Sequence, residues 1–80
     1  MMMKEEEIKE HLMSGNAEFR RLSEQHKYCE GKLNDLLNRH HFTEQDRLEE
    51  TQLKKKKLHL KDQMNSMISK FRNEINHQHT

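Results

Sequence analysis

Apolar residues recur along the first half of the chain at alternating steps of four and three. The positions are Ile8, Leu12, Gly15, Phe19, Leu22, His26, Cys29, Leu33 and Leu36, and seven of these nine suit an apolar seam. That spacing marks one face of a helix. A second stripe runs through Leu53, Lys57, Leu60, Met64, Met67 and Phe71, with Ile68 and Ile75 flanking it. No window shows the strict alternation of a half-buried strand. The chain contains no Pro and is rich in Glu, Lys, Leu, Met and Gln, so helix propensity agrees with the pattern.

The breaks follow from local chemistry. Ser14-Gly15-Asn16 pairs a helix-stopping Gly with a favoured N-cap residue. His40-His41-Phe42-Thr43 separates the two stripes. Thr43, with Asp46 three residues on, reads as a capping-box-like start for a helix at Glu44. Glu44 and Asp46 in its first turn suit the helix dipole. These signals predict a short helix over about 1–13, a helix over 17–39, a turn at 40–43, a long helix over 44–75 and a frayed tail at 76–80. All of it reads as a single helical-hairpin domain.

A short turn forces the two main helices antiparallel. They span about 34 Å and about 48 Å at 1.5 Å per residue. Facing positions then pair Leu22 with Leu60, Phe19 with Met64, His26 with Lys57 and Cys29 with Leu53. The longer helix overhangs, and the same register carries Leu12 to Phe71 and Ile8 to Ile75. The expected fold is all-α: a coiled-coil-like antiparallel hairpin whose N-terminal helix lies along the overhang. Its seam comprises Phe19, Leu22, His26, Cys29, Leu33, Leu36, Leu53, Leu60, Met64, Met67 and Phe71. The N-terminal stripe stays in register with the next helix, so the break near Gly15 is expected to be slight.

Composition narrows the class. Of 80 residues, 30% are apolar and 36% are charged. Such a chain borders on disorder, and only its periodicity argues for a fold. No stretch approaches the roughly 18 apolar residues of a membrane span. Cys29 stands alone and cannot form an internal disulfide. The acidic start, Met1 to Glu7, has no apolar segment behind it, which is unlike a secretory signal. A cytoplasmic protein is expected. The net charge is only +1, but residues 53–80 carry seven positive and two negative charges.

Two segments resemble a known family. They are Gly15-Asn16-Ala17-Glu18-Phe19-Arg20-Arg21-Leu22, with His26 after it, and Leu53-Lys54-Lys55-Lys56-Lys57-Leu58-His59-Leu60-Lys61-Asp62-Gln63-Met64. Together they are similar to the YdcH-like family of small bacterial proteins, a domain of unknown function. The resemblance covers roughly residues 8–72, and the lysine-rich segment is its more specific half. Ala17 stands where the family usually has Pro, and Cys29 where it usually has Leu. The resemblance implies a short helical hairpin and brings no catalytic residues.

The candidate sites are few. His26 and Cys29 share a helix face three residues apart, but no further ligands complete a zinc set. The clusters His40-His41 and His77-Gln78-His79 read as a solvated turn and tail. Cys29 lacks the pocket and third group that an activated nucleophile needs and reads as a buried thiol. Lys54 to Lys57 point in four directions around a helix, so they make no flat patch; Lys61 extends one row. Glu50 is placed to pair with Lys54 one turn on, and Glu24 or Glu30 could meet the run from the facing helix. Met64 and Met67, with Leu12 and Met13, read as core. Tyr28, Leu48 and Leu58 lie off the seam and suggest a second contact surface.

No catalytic constellation, cofactor site or metal site is expected. The sequence favours a non-catalytic module for protein–protein contact. Its partner would be another copy of itself, in a dimer or higher assembly, or an unidentified protein. The rival reading is a nucleic-acid or anionic-surface binder acting through Lys54, Lys55, Lys56 and Lys61. That rival lacks interleaved aromatics.

Overall fold

A computed structural model describes the backbone of residues 3–78 and the side chains of residues 3–75. Among these residues the chain forms three helices and no strand: α1 (Glu5–Gly15), α2 (Ala17–Leu37) and α3 (Glu44–Gln78). The structure is an all-α helical hairpin of α2 and α3, with α1 packed against both. α2 stops at Leu37, two residues before the expected end, with Asn38 as its C-cap. The backbone of α3 continues three residues past the expected end at Ile75. The remainder of the tail predicted to fray, residues 79–80, lies outside the described residues, as do the side chains of 76–78.

The α2–α3 turn is fixed by hydrogen bonds at the start of α3. The Asp46 backbone N–H donates to Thr43 Oγ1 at 3.1 Å, and the Thr43 N–H donates to Asp46 Oδ2 at 3.0 Å. This is the reciprocal capping box the sequence predicts. Arg39, two residues beyond α2, adds a bond that the pattern did not reveal: its Nη1 donates to Asp46 Oδ1 at 2.9 Å. Asp46 therefore joins the far end of the turn to its near end. The Thr43 N–H, acting with the Thr43 hydroxyl and the Arg39 charge, holds the Asp46 carboxyl below its ordinary pKa.

The α1–α2 break falls on one residue. Asn16 is extended at φ −128° and ψ 109°, and its N–H closes α1 on the Leu12 carbonyl at 2.8 Å. Its Oδ1 accepts from the Phe19 N–H at 3.0 Å and caps α2. Gly15 does not stop α1 as expected. It is the last residue of α1, has no positive φ, and a Cβ there would meet nothing within 4 Å. An extended Asn16 can break the helix without the left-handed residue that favours Gly.

The core runs along the seam in two clusters. Leu22, Cys29 and Leu60 form one, flanked by Leu53, Met64 and Met67. Ile8, Leu12, Phe19 and Ile68 form the other, flanked by Met3, Met13, Met64, Met67 and Phe71. Leu33 and Leu36 are buried towards the turn. The expected pairings of Leu22 with Leu60 and of Phe19 with Met64 fall within these clusters. Ile68, which widens the apolar face of the second stripe, is buried in the cluster with Ile8, Leu12 and Phe19. Ile75, expected opposite Ile8, is only half-buried and outside that cluster. The extended Asn16 takes α1 out of the continuous helical register that the Ile8–Ile75 pairing assumes, and Ile8 shares its cluster with Ile68 instead.

Candidate functional site

Each candidate can now be placed. Cys29 is 1% exposed and packs with Leu22 and Leu60, so its thiol faces apolar side chains. His26 lies at the edge of the same seam. Its Nδ1 is 3.6 Å from Glu30 Oε1, and its Nε2 is buried without a hydrogen-bond partner. Lys57 crosses from α3 to the same Glu30 oxygen at 3.3 Å. The facing pair His26 and Lys57 thus meets at one carboxylate, and Glu30, not Glu24, is the acid of α2 that reaches the lysine run.

The four consecutive lysines are divided in role. Lys54 pairs with Glu50 at 3.2 Å, the expected one-turn spacing. Lys57 is held by Glu30, while Lys55, Lys56 and Lys61 are exposed. Lys54 and Lys57 line an open depression of about 610 Å³ together with Lys27, Glu30, Gly31 and Asn34 of α2. Two smaller depressions lie nearer α1, one of about 220 Å³ bordered by Leu12, Asn16 and Phe71. His40 and His41 are exposed in the turn, and the His77-Gln78-His79 side chains lie outside the described residues. Among the described residues, no group of three or more His, Cys, Asp or Glu is placed to hold a metal ion. No helix among them is long and apolar enough to cross a membrane.

Among the described residues five large apolar side chains are exposed: Tyr28 at 61%, Leu37 at 56%, Phe42 at 41%, Leu48 at 64% and Leu58 at 60%. The three named from sequence, Tyr28, Leu48 and Leu58, do not form one patch. Leu48 and Leu58 are about 15 Å and about 80° apart on α3, and Tyr28 is on α2. Leu37 and Phe42, near the turn, were not singled out from sequence, because each sits where a helix-end or loop residue needs no apolar partner. Tyr28 is covered in part by Lys32, whose Nζ lies 5.3 Å from the ring centre.

Fold and surface define a class: a small all-α hairpin with an apolar seam and charged flanks. Residues 19–68 match the family described as protein of unknown function (DUF465), and the chain belongs to that family. The matched span runs from Phe19 to Ile68, so it holds most of α2, the turn and the first two-thirds of α3. It is shorter than the 8–72 of the sequence resemblance and leaves α1 outside. No curated protein and no solved structure matches the chain.

Proposed function

We propose that this protein is a non-catalytic interaction module whose partner is another copy of itself or a larger protein. The observation that carries this reading is the amount of surface left uncovered. The chain exposes 6624 Å², whereas a compact monomer of this mass exposes about 5,200 Å². The surplus, about 1,400 Å², exceeds the roughly 800 Å² that a standard interface removes from each partner. Tyr28, Leu37, Phe42, Leu48 and Leu58 supply apolar area within it. The burial of Cys29 supports a role without nucleophilic catalysis. The lysine reading has less support, because Glu50 and Glu30 engage Lys54 and Lys57.

Thermal unfolding followed at several protein concentrations tests the proposal. A self-associating chain has a Tm that rises with concentration. A Tm independent of concentration, together with no binding of a dye that reports exposed apolar surface, would contradict it.

A further inference from the structure

The outer face of α2 carries a glycine that one copy of the chain does not require. Gly31 lies in the middle of α2, where glycine costs helix stability relative to alanine. It has no positive φ, and a Cβ there would meet no atom within 4 Å. Neither backbone conformation nor packing within the chain calls for it. What a glycine on an open helix face does permit is close approach of another backbone.

The residues around Gly31 are complementary to a reversed copy of themselves. Lys27 and Asp35 each lie four residues from Gly31, on opposite sides, in one row along the helix. Both are exposed, and neither has an ion pair among the described residues. An antiparallel copy crossing at Gly31 sets Lys27 against the Asp35 of the other chain, and Asp35 against its Lys27. The exposed Tyr28 flanks Gly31 on one side of this row. A two-fold axis requires this kind of self-complementarity, the same patch meeting itself. Tyr is a favoured anchor at such contacts.

We propose that two copies of this chain pair antiparallel through the outer face of α2, about a two-fold axis at Gly31. The two Lys27–Asp35 pairs select the register, as charges at an interface do, and Gly31 admits the close crossing. The inference rests on the self-association arm of the function proposed above and names its surface.

Sedimentation equilibrium of the full chain tests it with four variants. Lys27→Asp and Asp35→Lys each create like-charge contacts twice, and each is expected to weaken dimerisation about tenfold or more. The double variant restores opposite charges and is expected to recover most of the affinity. Gly31→Gln is a better helix former than the parent, so it keeps the helix content seen by circular dichroism while abolishing the dimer. A parent dimer unaffected by all four variants would overturn the α2 contact and leave self-association intact through another face, such as that of Leu48 or Leu58. A parent that stays monomeric at millimolar concentration would overturn both the contact and the self-association behind it. A double variant no better than the singles would overturn the charge register.

Discussion

Asp46 and His26 show two ways a polar side chain sits in a helical hairpin. Asp46 is 7% exposed, accepts from Thr43 and Arg39, and has a lowered pKa. Folding lowers that pKa, so the contribution is fully present above the unfolded value near 3.8. It is lost as pH falls through the lower folded value. Asp46→Asn is therefore expected to reduce stability at neutral pH and to flatten the acid side of a plot of Tm against pH. An acid side of unchanged slope would show that other carboxylates govern it. His26 is the opposite case, because its buried Nε2 has no partner. Leaving such a group unpaired costs about 1–3 kcal/mol. His26→Leu fills a seam position with an apolar side chain, so stability should rise by about 1 kcal/mol, read as a higher urea midpoint. A lower midpoint would mean that the Glu30 contact matters more than the orphaned nitrogen.

The three helices differ in how they are held. α2 and α3 share a seam along most of α2, whereas α1 is joined through the single extended residue Asn16 and docks by Ile8 and Leu12. An element held by one small cluster opens more readily than the rest. Ile8→Ala removes a fully buried side chain, a change that typically costs 2–5 kcal/mol. Hydrogen exchange should then speed up across α1 while amides of Leu22 to Leu36 keep their protection. An equal loss in all three helices would show one cooperative unit instead. This boundary was only partly legible in the sequence. The stripes and the Thr43 and Asp46 cap gave the hairpin and its turn, because burial and capping are local, periodic signals. The break was legible as Asn16 capping α2, but α1 runs on through Gly15 instead of ending near residue 13. Arg39 was missed as well, since its bond to Asp46 depends on how the turn closes. Gly31 was visible as a letter, but its meaning needs the fact that nothing packs against it.

At the scale of the whole molecule, shape is the main property. The chain measures 57 × 19 × 18 Å with a radius of gyration of 16.5 Å, where a compact domain of this length has about 12 Å. A rod of this kind has one seam for a core and long flanks facing water. Few residues are buried on both sides, so the core of one copy is small for the length of chain it must order. The proposed pairing, which sets a second copy on the outer face of α2, would cover part of one of those flanks at no cost in new secondary structure. Sedimentation velocity across a wide concentration range at physiological salt tests it most directly. A species of twice the chain mass that grows with concentration is expected, with the single chain dominant only at the dilute end. A single chain of constant sedimentation coefficient up to millimolar concentration would contradict it.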